Sequence, residues 1–164
     1  MGSTSPAALP ALKTAPKIIF FTDYDGTITQ QDSNDFMTDN LGFGLKQRVQ
    51  GNVDVLEGRR HFRDCFQEMM DSVTTPFDQC IKLLAKNIVL DSGFKDFYAW
   101  TRENNVPIVI LSGGMRPVIR GMLSGWLGAD EADNIQIVSN DVGPRPGKTM
   151  NDEGGWQIKF HDER

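Results

Sequence analysis

Residues 17–27 read Lys17-Ile18-Ile19-Phe20-Phe21-Thr22-Asp23-Tyr24-Asp25-Gly26-Thr27. The apolar run is continuous, too short for a helix, and ends in a polar turn. That pattern predicts a β-strand buried on both faces, with two carboxylates just past its carboxyl end. Val106-Pro107-Ile108-Val109-Ile110-Leu111, ending in Ser112-Gly113-Gly114, is a second run of the same kind, and Ile135-Gln136-Ile137-Val138 a third. Helical patterns lie between them, so the chain reads as α/β with a parallel sheet.

More than eighty residues separate the first two strands. One crossover helix does not need so many, which predicts an inserted helical module. Phe62, Cys65, Phe66, Met69, Met70 and Val73 recur at steps of three and four and form one apolar stripe. Thr75 and Pro76 read as N-cap and first helical residue of the next helix, whose stripe is Phe77, Ile81, Leu84 and Ile88. Both stripes are read as core, with Cys65 and Cys80 as inert thiols. Asp91-Ser92-Gly93 opens a helix carrying Phe94, Phe97 and Tyr98, and Arg116 to Leu127 is the helix after the second strand. Gly128 to Asp133 reads as a loop. From Asn140 a strand, a Pro/Gly loop and Trp156 to Phe160 read as a β-hairpin.

A chain of 164 residues with 39% hydrophobic and 24% charged residues is a single globular domain by size and composition. A net charge of -5 and a pI near 5.0 exclude nucleic acid as the main partner, since phosphate backbones require clustered Lys and Arg. Two cysteines make no disulfide framework and point to a reducing compartment. No apolar run approaches the roughly 20 residues that span a bilayer. Residues 1–16, rich in Ala, Pro, Ser and Thr, lack the apolar stretch of a secretory signal. Pro6 stands where a myristoylation motif has Ser or Thr. The segment reads as a solvated tail on a cytoplasmic protein.

Asp23 and Asp25 fall at the sheet edge where open α/β sheets bind ligands. Two close carboxylates repel and require a cation or a shared proton; an all-oxygen site suits magnesium. Gly26 permits the tight turn. The loop is no EF-hand, because Gly26 is fourth rather than sixth and Asn34 holds the twelfth position. Ser112-Gly113-Gly114, read as the start of a helix, offers a hydroxyl and backbone N–H groups to a phosphate. In an acyl-phosphate mechanism Asp23 attacks phosphorus, and Asp25 protonates the leaving alcohol and then activates water. Taken singly, each loop is a common turn; together they point to phosphoryl chemistry.

The pair DYDGT and VILSGG resembles the first two motifs of the haloacid dehalogenase-like phosphohydrolases, and FTDYDGTITQQDSNDFMTDNLGFG, TPFDQCIKLL, LDSGFKDFYAW and NNVPIVILSGGM resemble their phosphoserine-phosphatase-like branch. Within it the chain is most similar to fungal phosphatases of polyol and glycerol phosphates. The resemblance implies a Rossmann-like core over 17–31 and 91–164 and a helical C1 cap over 32–90. It implies Asp23 as nucleophile and Asp25 as acid/base, both binding Mg2+, Asp25 through its backbone carbonyl. It further implies Thr27 supporting the first motif, and Ser112 and Gly113 binding phosphate. Asp32 falls where phosphoserine phosphatases place a Glu that reads the substrate amine, and Met69 where they place an Arg for its carboxylate. Arg59, Arg60 and Arg63 are nearby substitutes for that Arg or a solvated helix face. The family's third-motif Lys and fourth-motif acidic loop have no match up to Arg164. Lys148 and Lys159, on the hairpin, and the acidic residues 130–133 are poor substitutes. The chain is therefore expected to be truncated before those motifs, with its first strand at an exposed edge open to self-association. Three functions remain: a magnesium-dependent phosphatase of small phosphorylated metabolites, a non-catalytic binding product, and a phosphotransferase.

Overall fold

A computed structural model of the chain describes residues 15–162; the expected tail, but for Ala15 and Pro16, lies outside them. Four strands, β1 (Phe20–Thr22), β2 (Ile108–Met115), β3 (Gln136–Pro144) and β4 (Trp156–Lys159), form one sheet in the order β1-β2-β3-β4. The first three are parallel, with Thr22 opposite Ile110 and Ile110 opposite Ile137. β3 and β4 are the expected antiparallel hairpin, with Val142 opposite Ile158. Four helices lie between β1 and the return to the sheet: α1 (Ser33–Leu41), α2 (Leu45–Leu56), α3 (Phe62–Asp71) and α4 (Phe77–Asn87). α5 (Phe94–Glu103) leads to β2, and α6 (Arg116–Leu127) and α7 (Ala129–Asn134) lead to β3.

The helical stripes bury as their spacing demands, except at Phe62, which opens α3 61% exposed and stacks on Phe66, and at the half-buried Ile81. Phe66, Met69, Met70, Val73, Phe77, Cys80, Leu84 and Ile88 join Met37 of α1, Val118 and Met122 of α6, and Trp156 and Ile158 of the hairpin in one apolar cluster. A second cluster fills the other side of the sheet, with Tyr24, Ile28, Phe94, Tyr98, Ile110, Ile119, Leu123 and Ile137. Trp126 packs on both. At roughly 1.5–3 kcal/mol for each large apolar side chain removed from water, the first cluster binds α1, α3 and α4 firmly to α6 and β4.

Four local readings change. β1 is not buried on both faces: Phe20 packs edge-on against Phe97 and Trp100, whereas Ile18 and Phe21 are 56% and 51% exposed. Among the described residues only β2 pairs with it. Ser112-Gly113-Gly114 does not begin a helix, because β2 runs on to Met115 and α6 starts at Arg116. The register with β3 shifts between Leu111 and Met115, so these three residues bulge out of the ladder. Ser112 Oγ accepts from Gly114 N–H at 3.0 Å, and Asn140 Nδ2 donates to the Gly113 carbonyl at 2.7 Å. At α4, Pro76 rather than Thr75 is the N-cap. The free N–H groups of Phe77 and Asp78 donate instead to the Met150 carbonyl and Asn151 Oδ1 of the hairpin loop, both at 3.1 Å. Residues 129–134, read as loop, form α7, whose Glu131 accepts from the buried Tyr98 hydroxyl at 2.6 Å.

Candidate active site

The site begins with the turn after β1. Tyr24 is fully buried and anchors the loop in the second core cluster. Its carbonyl accepts from the N–H groups of Thr27, Ile28 and Thr29. Gly26 sits at φ 73°, a left-handed conformation costly for residues with a Cβ. Its N–H donates to Thr29 Oγ1 at 3.3 Å. With Tyr24 turned inward, Asp23 and Asp25 both line the cavity beyond the strand end, together with Ser112, Gly113 and Gly114 of the neighbouring strand. Parallel pairing of β1 with β2 brings the two loops to one sheet edge.

The two carboxylates are held differently. Asp23 is exposed, and its Oδ1 accepts from the Tyr24 N–H at 2.7 Å. Asp25 is clamped by the start of α1: Oδ1 accepts from Ser33 N–H at 2.8 Å and Oδ2 from Asn34 Nδ2 at 3.0 Å. Burial and the nearby Asp32 carboxylate push the Asp25 carboxyl up to about 6, against the opposing pull of the Ser33 hydrogen bond. A carboxyl that titrates near neutrality serves both as proton donor and as base. Asp32 is the N-cap of α1, accepting from the N–H groups of Asn34 and Asp35, each at 2.8 Å. Burial and Asp32 also raise the Asp35 carboxyl, which Arg48 opposes.

The cavity holds about 300 Å³. Asp23, Asp25, Asp32 and Asp35 all line it, while no Lys or Arg does so among the described residues. Asp35 is paired with Arg48 at 2.6 Å, and the three carboxylates of Asp23, Asp25 and Asp32, with no cationic side chain lining the cavity among the described residues, are a fit for a bound cation. The donors are hard oxygens, the type that magnesium selects. Asp23 and Asp25 are the acids on the core strand that would hold it. No compact cage of three His, Cys, Asp or Glu forms among the described residues, so an ion here keeps most of its waters.

Asp23, Asp25, Asp32, Met69, Ser112 and Gly113 are all brought to this cavity. Thr27 is not: it is exposed and lines a separate depression with Asp91 and Phe97. Thr29, buried and bonded to the Gly26 N–H, supports the turn instead. Arg59 pairs with Asp54 and Glu57, Arg60 with Glu68, and Arg63 reaches Asp162 and lies over the Phe160 ring. None of the three lines the acidic cavity. Lys148 Nζ bonds the Glu153 carbonyl at 2.8 Å, and neither it nor Lys159 lines the cavity. Sequence reasoning missed Ser33, Asn34 and Asp35 as site residues. An Asp immediately before a helical segment is an N-cap signature, and reading Asp32 that way would have placed the α1 N-terminus against the site.

The family model of haloacid dehalogenase-like hydrolases matches residues 20–145. The chain is 44% identical over 147 residues to Pdp3-interacting factor 1 of Schizosaccharomyces pombe, covering 90% of this chain and 62% of that protein. It is likewise 44% identical over 147 residues to the polyol phosphate phosphatase PYP1 of Saccharomyces cerevisiae, covering 90% of this chain and 58% of that one. The chain thus spans about three fifths of the length of these relatives. A substrate-bound phosphoserine phosphatase superposes with a TM-score of 0.63 at 14% identity over 88% of this chain and 63% of its own. A hydrolase from Salmonella enterica serovar Typhi gives 0.64 at 16% identity over 88% and 44%. Both show the same α/β fold.

Proposed function

The chain belongs to the haloacid dehalogenase-like hydrolases, and from that premise we propose that it hydrolyses small phosphate monoesters of the polyol or glycerol type. One observation carries the reading. An exposed Asp23 and a clamped, near-neutral Asp25 share one cavity with the Ser112–Gly114 bulge. The name of the yeast relative, polyol phosphate phosphatase, supports the substrate class. The absence of a lining Lys or Arg among the described residues disfavours a leaving group that carries its own carboxylate, such as phosphoserine. Residues 32–90 act as the cap over the site.

The ester phosphate lies against the Ser112 hydroxyl and the Gly113 backbone. An Asp23 carboxylate oxygen attacks phosphorus, the P–O bond to the alcohol breaks, and Asp25 gives its proton to the leaving oxygen. Asp25, now ionised, takes a proton from water, whose oxygen attacks phosphorus. The P–O bond to Asp23 breaks, inorganic phosphate departs, and Asp25 is again protonated. Asp23, through its carboxylate, and Asp25, through its backbone carbonyl, would hold a magnesium ion, which would supply charge neutralisation at the phosphoryl oxygens. The edge of β1 that is unpaired among the described residues, where Phe21 is exposed, is the surface through which copies of the chain would associate, a point that light scattering tests. The missing lining cation also favours a second reading, in which the chain binds such esters without turning them over. Phosphate release from glycerol and polyol phosphates, with magnesium and with an Asp23→Asn control, decides between them. Release that the control abolishes supports hydrolysis; equal release by the control refutes the assigned nucleophile. Binding with no release supports the second reading.

A further inference from the structure

A larger cavity, about 440 Å³, lies between α2 and α3 and meets the acidic cavity at Asn52 and Met69, which line both. Each charged residue of its wall already has a partner. Arg48 is bonded to Asp35 at 2.6 Å and Asp39 at 2.7 Å. Arg60 pairs with Glu68, Asp54 with Arg59, and Asp71 with Arg145. A charged ligand would have to displace one of these pairs. The remaining polar groups on its rim are carboxamides: the side chains of Gln47 and Asn52 are exposed and free to meet a ligand. A carboxamide offers one donor side and one acceptor side, which is what an alcohol hydroxyl requires.

We propose that this chamber is a subsite for the uncharged polyhydroxy tail of the phosphate ester, reached from the acidic cavity past Asn52 and Met69. The proposal rests on the phosphatase reading for what occupies the neighbouring cavity, and it adds where the alcohol goes and that longer chains are preferred. Each cavity alone is near the lower end of the roughly 300–1,000 Å³ range of small-molecule sites. Together they accommodate a phosphate and a chain of about six hydroxylated carbons, with Asn52 at the junction to bond the hydroxyls nearest the phosphate. Longer polyols gain contacts with Gln47 that short ones cannot reach.

Gly51 supplies a clean test. It is helical, lines the chamber but not the acidic cavity, and a Cβ built on it meets nothing within 4 Å. Gly51→Phe therefore fills the chamber, and replacing a mid-helix glycine does not weaken α2. Asn52→Leu removes the junction amide at nearly constant shape. The quantity to measure is the ratio of kcat/KM for a hexitol phosphate to that for ethylene glycol monophosphate. Both variants should lower it about tenfold, the size expected for one lost hydrogen bond to ligand, with the change in KM. A ratio that either variant leaves within twofold overturns the subsite. If the chain releases phosphate from neither ester, the phosphatase reading fails, and calorimetric binding of the hexitol phosphate judges the subsite alone. Binding weakened about tenfold by Gly51→Phe supports it; no binding, or binding indifferent to that change, overturns it.

Discussion

Asp25→Asn should stabilise the folded chain above neutral pH. Asp25 is held at the start of α1, where burial and Asp32 raise its carboxyl from 3.8 to about 6. A carboxyl raised on folding favours the folded state while protonated. Its contribution is complete below about pH 3.8 and is lost as pH rises through 6. Between those limits the unfolded chain has released the proton and the folded chain has not, so stability falls with pH. The full loss is about 3 kcal/mol at 1.36 kcal/mol for each unit. The Asn variant has nothing to ionise. Its amide keeps the acceptor for Ser33 N–H, and its new donor finds Asn34 Oδ1, buried and without a partner in the native chain, once the Asn34 amide turns over. Urea unfolding of both proteins in EDTA at pH 4 and pH 8 measures the effect. The stability of the variant relative to the native chain should rise by about 2 kcal/mol between these pH values, or about 4–8 °C in melting temperature for a chain of this size. A difference that does not vary with pH, or that favours the native chain more at pH 8, would refute the raised Asp25 carboxyl.

Asp23→Asn should lower kcat on any phosphate ester by at least about 10³-fold, because it removes the carboxylate assigned as nucleophile; phosphate release with magnesium reads this directly. Gly114→Ala places a methyl 3.2 Å from Asp25 Oδ2 and Ser112 Oγ and 3.3 Å from Asn34 Nδ2. Steady-state kinetics should show kcat down by about 10–10²-fold through displaced catalytic groups, with a melting temperature changed by less than about 3 °C. Trp156→Phe removes the Nε1 bond to the Thr75 carbonyl at 2.9 Å from a side chain only 1% exposed and should cost about 1–3 kcal/mol in urea unfolding. Gly155→Ala drives a Cβ into the Thr149 carbonyl and to 2.8 Å from that of Asp152. It should cost about 3 kcal/mol by the same assay, since neither contact is a flexible side chain.

Period and punctuation alone determined the parallel strands, the stripes of α3 and α4, the bounds of α6 and the terminal hairpin. Each is a local consequence of apolar spacing or turn chemistry. They also placed Asp23, Asp25, Ser112 and Gly113 at one sheet edge, since parallel strands put their carboxyl ends side by side. What tertiary structure decided was whatever depends on a neighbour distant in the chain. An apolar run reads as buried on both faces until its partners are known, and with only β2 beside it among the described residues β1 leaves Phe21 exposed. Ser112-Gly113-Gly114 could begin a helix or bulge from a strand, and Asn140 on β3 stabilises the bulge. Asp32 could read a substrate or cap a helix; the cap geometry brings Ser33 and Asn34 onto Asp25, while burial and the Asp32 carboxylate itself raise the Asp25 carboxyl. Thr27 and Thr29 are equivalent in composition, and only the turn around the positive φ of Gly26 decides which faces inward. The chamber between α2 and α3 is the extreme case. Its neutrality comes from pairs such as Arg145 with Asp71, 74 residues apart, which no local pattern encodes because the pairing exists only after the hairpin packs beside the inserted helices.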